Sequence, residues 1–433
     1  MWKNKICSFW ILTIWVTGSA FSVEYVNLEL YKNSSSYKPN QGLIAAFIED
    51  NWNTFKNSVN ETIISDNLTS DNFWNTIRYS LEDGTLYNRL ANYQMSGYQK
   101  GSDFFLSTVY SSIDKIPVTY KSTLPNGDSV ILSGKIFLPK TKKAKHIIIA
   151  NHFTICSSAE APSNNNCIEG IYATKGYIVL MPDYIGYGIS DSIIHPYLHL
   201  SSSISSALDM LKAALPYLKA QSYSYDQSLI LIGYSQGAAV TLALQQTLEK
   251  DYPFEYPVHR VFAGAGPYDL AGTFDFYLDN PTTDIPCSIP MLMTGLNYGE
   301  NLNLKMEDFF QPTLMEQYPV YIKSKSKTLN EVTAALGHDI MTLLKPITFF
   351  TDSFPTSVLY EAVKKNSIIQ WSPVSELYLF HSTEDNMVPF LNSEHLKQSF
   401  EKQELQNIKY DFAPYGNHME AAVTFFEKVY RML

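Results

Sequence analysis

The pattern of apolar and polar positions changes near residue 116. Before it, residues 23–112 mix Tyr, Asn, Phe and Trp, with helical spacing at 43–55 and 73–79 and with turn signals between. After it, short apolar runs alternate with helical spacing. Strands are predicted at 117–123, 129–138, 146–150, 177–181, 228–232, 258–263, 376–380 and 408–412, and helices at 167–174, 204–218 and 238–248. Runs that are apolar on both faces are typical of parallel strands, so we predict an α/β fold: a mostly parallel central sheet with helices on both faces.

The first two predicted strands are joined by Pro125-Asn126-Gly127-Asp128, which is a strong hairpin signal. An antiparallel hairpin therefore opens the sheet and makes it mixed.

Residues 273–372 lie between two predicted strands and are too many for one structureless loop. Helical spacing at 329–344 and 358–365 predicts an inserted helical cap or lid. Two explanations remain open for its large apolar side chains, which either line a binding surface or form the cap's own core. These are Met291, Met293, Met306, Met315, Phe309, Phe310, Phe349 and Phe350.

The first 22 residues have the pattern of a signal peptide. Lys3 and Lys5 precede an apolar core at 6–16, and Gly18-Ser19-Ala20 offers a cleavage site, so the mature chain should begin near Phe21 or Val23. An uncleaved anchor is the alternative. No later run approaches the roughly 20 apolar residues of a spanning helix, so no transmembrane segment is expected in the mature chain.

Four regions follow from these patterns. They are a signal peptide at 1–22, an N-terminal helical extension of unknown role at 23–112, a core of alternating strands and helices at 113–272 and 373–433, and the cap at 273–372.

Charge and cysteine content narrow the class of protein. The 433-residue chain has a net charge of −10, or −12 without the leader, and its basic residues cluster only at 140–145, which argues against a nucleic-acid partner. Cys156, Cys167 and Cys287 remain after the leader and lack the spacing of a zinc site. In an oxidising compartment we expect Cys156 to pair with Cys167 and to leave Cys287 free.

The candidate chemistry begins at residues 233–237, GYSQG, which stand between a predicted buried strand and a predicted helix. This is the sequence form of a nucleophile elbow, in which a tight turn exposes the hydroxyl of Ser235 at the sheet edge. Gly233 and Gly237 are expected where strand and helix leave no room for a side chain. The start of the helix should favour developing negative charge.

A serine nucleophile needs a histidine base and a carboxylate that orients the histidine. Asp385 and Glu384 both follow the predicted strand at 376–380, and His418 follows the last predicted strand on a glycine-containing turn. The remaining histidines near these motifs are expected to be supporting residues of the loops: His381, His195 and His199.

A tetrahedral intermediate also needs two backbone N–H donors. Gln236, which follows the candidate nucleophile, is expected to supply one. Phe153 is the better candidate for the other and Thr154 the next, because both lie just after the predicted strand at 146–150. Residues 151–154, NHFT, stand where a His-Gly pair is usual.

From about residue 116 onward, the chain resembles an α/β-hydrolase. Residues 181–188, MPDYIGYG, followed by His195-Pro196-Tyr197, are similar to the PDYxGxG stretch of the secretory lipase family. The resemblance favours Asp385 over Glu384 as the acid, because Asp385 lies four residues after His381 and four before Pro389, as in the HGxxDxxVP loops of such enzymes. GYSQG also occurs in cutinases, which are small and lidless, and the resemblance does not cover residues 23–112.

The resemblance implies a secreted serine hydrolase of carboxylic esters, a lipase or esterase acting on a small-molecule or lipid ester. Ser235, His418 and Asp385 would form the triad, with Gln236 and Phe153 or Thr154 at the oxyanion; neither metal nor organic cofactor is implied. Acyl transfer, exopeptidase activity and a non-catalytic binding role are the alternatives. An apolar cap containing methionine favours an acyl chain over a charged peptide terminus. Oligomeric state is not predicted.

Overall fold

The computed structural model describes residues 9–11, 24–26, 113–165 and 167–433. The chain divides into a unit of residues 1–112 with 426–433 and a unit of residues 113–425. In the first unit, strands β1 (Phe9–Ile11) and β2 (Glu24–Val26) pair antiparallel. The rest of the predicted leader at 1–22 and of the predicted extension at 23–112 lies outside the described residues.

The second unit is built on one mixed sheet, which has eight strands within the described residues, in the order β10-β9-β8-β7-β5-β6-β4-β3. Its strands are β3 (Ile113–Thr123), β4 (Ser129–Pro139), β5 (Ile147–Asn151), β6 (Ile178–Pro182), β7 (Leu229–Tyr234), β8 (Val258–Gly264), β9 (Glu376–Ser382) and β10 (Ile408–Ala413). Strands β6, β5, β7, β8, β9 and β10 run parallel, and β4 pairs antiparallel with β3 and β6.

The predicted hairpin is confirmed. Strands β3 and β4 pair from Thr123 opposite Ser129, and Gly127 supplies the positive φ of 90° that their turn requires. Pro117 is tolerated within β3 because this strand is at the sheet edge, where a missing N–H breaks no inner ladder.

Among the described residues, α-helices lie between the strands of this sheet and one follows the last strand. They are α1 (Leu200–Ala220), α2 (Gln236–Asp251), α3 (Leu270–Asp279), α4 (Ser288–Gly299), α5 (Pro312–Tyr318), α6 (Leu329–Leu336), α7 (Thr356–Lys365), α8 (Leu391–Glu401) and α9 (His418–Met432). Every residue of β5, β6 and β7 is buried, as expected for strands covered on both faces. The predicted fold class is therefore confirmed. None of the described helices is both long enough and apolar enough to cross a membrane.

Two predicted helices differ from the observed ones. Residues Ile168–Lys175 form a 3-10 helix, which ends at Gly176 with a φ of 90°. The predicted helix at 329–344 stops at Leu336, because Gly337 has a φ of 77° and only a short 3-10 turn follows at Ile340–Thr342.

Helices α3 to α7 lie between β8 and β9, where the sequence predicts a cap. Met291, Met293, Phe309 and Phe310 are buried in the hydrophobic core, whereas Phe350 is 59% exposed. Of the two explanations for the apolar side chains, the structure therefore favours core packing for these four.

The expected cysteine pairing is wrong in the structure. The Sγ of Cys156 lies 3.8 Å from the Sγ of Cys287, both thiols are buried, and no described cysteine is bonded to another. Cys287 immediately precedes α4 and lies 131 residues after Cys156 in the sequence. This contact therefore joins two segments that are distant along the chain.

Candidate active site

Ser235 occupies a tight turn between β7 and α2. It has a φ of 56° and a ψ of −127°, an unfavourable backbone conformation that costs about 1–3 kcal/mol. Its N–H donates to the carbonyl of Gly264 at 2.9 Å, which fixes the turn to the end of β8.

The two glycines beside Ser235 allow close packing of strand and helix. A Cβ on Gly233 would lie 2.1 Å from the carbonyl oxygen of Gly237, and a Cβ on Gly237 would lie 2.0 Å from the carbonyl oxygen of Asn151. The second contact also brings the loop after β5 against the first turn of α2. The stretches that contain Gln236, Phe153 and Thr154 are thus neighbours.

Gln236 is the first residue of α2, and Phe153 and Thr154 lie in the loop after β5. Within the described part of the chain, the backbone N–H groups of these three residues donate to no acceptor. Residues 151–154 all have negative φ, so the loop does not need the glycine that is usual there.

The structure brings Asp385 and His418 together. Asp385 follows β9, and His418 is the first residue of α9, after β10. The Nδ1 of His418 lies 2.6 Å from Oδ2 of Asp385, and both side chains are buried. The other carboxylate oxygen, Oδ1, accepts hydrogen bonds from the N–H groups of Met387 at 2.9 Å and Val388 at 2.8 Å.

The rival carboxylate, Glu384, is exposed and points elsewhere. Its Oε2 accepts a hydrogen bond from the N–H of Gly416 at 3.2 Å. The structure therefore places Asp385, and not Glu384, against the imidazole.

Burial acts to raise the pKa of Asp385, but the charge and hydrogen bonds of His418 and His381 outweigh it and hold that pKa below its usual range. His381 is fully buried, with its Nε2 3.4 Å from Oδ2 of Asp385 and 3.1 Å from the carbonyl oxygen of Val388. Its Nδ1 bonds the Ser393 hydroxyl at 2.7 Å. His381 and His418 thus both contact Oδ2 of Asp385.

The segment of His418 is joined to the serine turn through Tyr234, the residue before Ser235. The Tyr234 hydroxyl donates to the carbonyl of His418 at 2.7 Å, and the two rings are 4.9 Å apart between centroids. This contact brings the loop after β10 to the end of β7, across two intervening strands.

Two supporting residues are absent from the sequence prediction. Ser382 Oγ donates to the carbonyl of Gly416 at 2.5 Å and accepts from the N–H of Tyr415 at 3.1 Å, which joins the acid loop to the histidine loop. Asn386 accepts a hydrogen bond from the N–H of His418 at 3.1 Å. The parallel register of β9 and β10 pairs Ser382 with Ala413. This register is the feature from which the role of Ser382 could have been predicted.

The other two histidines that were predicted to support the loops, His195 and His199, contact different partners. The Nε2 of His199 lies 3.4 Å from Oε1 of Glu300, whereas the Nε2 of His195 is 3.2 Å from the side-chain nitrogen of Gln236. Burial lowers the pKa of His195 to about 3, so this ring stays neutral near neutral pH. No cluster of three or more potential metal ligands occurs among the described residues.

A serine turn after a central parallel strand, with candidate acid and histidine loops at the same sheet edge, is the arrangement of the α/β-hydrolases. The sequence profile of the secretory lipase family matches residues 167–427, more than half of the chain. The chain belongs to the secretory lipase family and is an ester-hydrolysing enzyme. The predicted family is thereby confirmed.

Solved structures agree with the fold. A hydrolase from Legionella pneumophila is 25% identical, with 74% of this chain and 88% of that chain covered and a TM-score of 0.68. The rice cell wall degrading esterase LipA from Xanthomonas oryzae is 20% identical, with 76% and 93% covered and a TM-score of 0.65. Candida antarctica lipase A is 16% identical, with 71% and 73% covered and a TM-score of 0.55. No curated protein sequence matches the chain.

Proposed function

We propose that the protein is a secreted lipase or esterase that works through a Ser235-His418-Asp385 triad and an acyl-enzyme. Ser235 Oγ attacks the ester carbonyl while His418 takes its proton. The tetrahedral intermediate collapses when His418 returns that proton to the leaving alcohol. Water then repeats the sequence on the acyl-enzyme and releases the acid.

The hydrogen bond of 2.6 Å between Asp385 and His418 is the observation that carries the proposal. A buried carboxylate at Nδ1 holds the imidazole proton on that nitrogen and leaves the Nε2 lone pair free to accept the serine proton. Because the pKa of Asp385 is low, the carboxylate stays ionised at neutral pH and stabilises the imidazolium that forms.

The oxyanion would be bound by the N–H of Gln236 and an N–H from the loop after β5, with Phe153 preferred and Thr154 next. The N-terminus of α2 adds a favourable dipole at this point. Among the described residues these N–H groups have no acceptor, which supports this role.

The substrate we propose is a small or lipid carboxylic ester, and secretion is proposed from the leader pattern at 1–22 together with the family. Intact mass of the protein recovered from medium should give a mature chain that begins near Phe21 or Val23. A mass that includes residues 1–22 would contradict cleavage.

The test of activity compares p-nitrophenyl esters from acetyl to lauroyl with aminoacyl p-nitroanilides. We expect ester turnover to exceed amide turnover by orders of magnitude. Faster or comparable amide cleavage would indicate an exopeptidase, and no turnover of either class would indicate a binding protein. Added alcohol acceptors that capture most of the acyl group would indicate an acyltransferase.

A further inference from the structure

The segment His195-Pro196-Tyr197, called here the HPY segment, touches both stretches that carry the proposed oxyanion donors. The Nε2 of His195 lies 3.2 Å from Nε2 of Gln236, and the hydroxyl of Tyr197 lies 2.8 Å from Oγ1 of Thr154. All four side chains are buried. One segment therefore bonds the first residue of α2 and the loop after β5 at the same time.

The His195 contact has a defined direction. The Nδ1 of His195 lies 2.7 Å from the carbonyl oxygen of Ile185, so this nitrogen carries the proton and donates it. The Nε2 of the neutral ring then accepts a hydrogen bond from the amide NH2 group of Gln236. The Gln236 side chain is thus fixed by a ring that is itself fixed by the backbone.

The HPY segment is held firmly on two sides. A Cβ on Gly186 would lie 2.6 Å from the Cα of His195, and a Cβ on Gly295 of helix α4 would lie 2.4 Å from the backbone nitrogen of Tyr197. The Tyr187 ring packs on His195 at 4.8 Å between centroids. Such close packing leaves the segment little freedom to shift.

The donors need such a support because the sheet does not reach them. The ladder between β5 and β7 ends at Asn151 opposite Gly233, before either donor. Beyond that point the loop and the helix start are separate backbone segments. Their spacing depends on the packing of Gly237 against the carbonyls of Asn151 and His152 and on contacts made by side chains.

We propose that the HPY segment sets the spacing of the two oxyanion donors, with His195 acting through Gln236 and Tyr197 acting through Thr154. These are positioning residues, and the inference rests on the proposed hydrolase function. Because an oxyanion forms only during reaction, loss of the spacing should lower kcat and leave KM nearly unchanged.

The central variant is Tyr197→Phe, which removes the hydroxyl and keeps the ring. Removing an oxyanion donor outright costs about 10²–10³ in kcat, and a displaced donor should cost less, about tenfold. The affinity for an aryl trifluoromethyl ketone, which forms a tetrahedral adduct, should fall by the same factor as kcat. Thr154→Val should give a similar loss, and the double variant should lose no more than either single one.

Tyr223→Phe is the matched control, because its buried hydroxyl donates to the carbonyl of Pro139 at 3.2 Å, on β4. It should keep the wild-type kcat and ketone affinity.

In every variant, active protein is counted by phosphonate titration. A variant that only folds less well therefore shows an unchanged kcat per titrated site.

His195 is tested by two substitutions that differ in reach. His195→Asn can still donate to Ile185 but cannot accept from Gln236, whereas the longer His195→Gln places an amide oxygen where it can accept. We expect Asn to lower kcat about tenfold or more and Gln to restore part of it.

A kcat and ketone affinity within twofold of wild type in both Tyr197→Phe and His195→Asn would overturn the inference. Absence of ester hydrolysis by the wild-type protein would instead overturn the proposed function, so the two failures are distinguishable.

Discussion

Replacing Asp385 by Asn changes one atom at the centre of the proposed triad. Oδ1 accepts two backbone N–H groups, from Met387 at 2.9 Å and Val388 at 2.8 Å, so the amide oxygen of Asn must take this position. The NH2 group then faces Nδ1 of His418, where Oδ2 now lies at 2.6 Å. Because NH2 only donates, the proton of His418 must move to Nε2, and the ring can no longer accept the serine proton.

The expected loss in kcat is about 10⁴, which corresponds to about 5.5 kcal/mol of transition-state stabilisation. The fold should survive, because Asn has nearly the shape of Asp and keeps both backbone hydrogen bonds. Hydrolysis of p-nitrophenyl butyrate, with thermal unfolding of the same sample, separates loss of activity from loss of fold.

The matched control is Glu384→Gln, which alters the adjacent but exposed carboxylate that accepts from Gly416. It should change kcat little. A large loss in Glu384→Gln with a nearly normal Asp385→Asn would refute the reasoning and identify the other carboxylate as the acid.

Three further predictions concern stability and covalent structure. Burial raises the pKa of Glu169 to about 7, and among the described residues neither of its carboxylate oxygens has a hydrogen-bond partner. This group's contribution to stability is full below its unfolded pKa and is lost as pH rises to about 7, by up to about 3 kcal/mol. Glu169→Gln should therefore weaken the fall of Tm with rising pH between about pH 5 and 8. A Tm that falls as steeply with pH in the variant as in the wild-type protein would count against this. Gly237→Ala should lower the free energy of unfolding by about 1–3 kcal/mol, because its Cβ would lie 2.0 Å from the carbonyl oxygen of Asn151; an unaltered urea midpoint would contradict the close packing. In protein from an oxidising compartment, non-reducing peptide mapping should link Cys156 to Cys287, whose Sγ atoms are 3.8 Å apart, whereas a Cys156–Cys167 link would contradict this arrangement.

Strands were the most predictable part of the fold. The buried strands appear as apolar runs because each is covered on both faces, and their predicted positions agree with β5, β6 and β7 to within one or two residues. The helix predicted at 329–344 was too long because apolar spacing continues past Gly337, whose left-handed φ ends α6. Local conformation overrode the periodic pattern there.

The parts of the candidate site that directly follow predicted strands could be predicted from the sequence. The contacts that depend on tertiary packing could not. Ser235, Asp385 and His418 each follow a parallel strand, so their common edge could be inferred from the strand pattern. The sequence predicts a pair of Cys156 with Cys167 because they are close in sequence, but in the fold Cys287, just before α4, lies beside Cys156. The contact of Tyr197 with Thr154 joins loops 43 residues apart and has no local signature.

The nucleophile is the central claim, and a covalent label tests it most directly. The wild-type protein is treated with a p-nitrophenyl alkylphosphonate, and the adduct is counted by intact mass and located by peptide mapping. We predict one adduct, on Ser235, with loss of ester hydrolysis in proportion to labelling, and we predict no label and no hydrolysis in Ser235→Ala. A label on another residue, or a Ser235→Ala protein that still hydrolyses esters at the wild-type rate, would contradict the account.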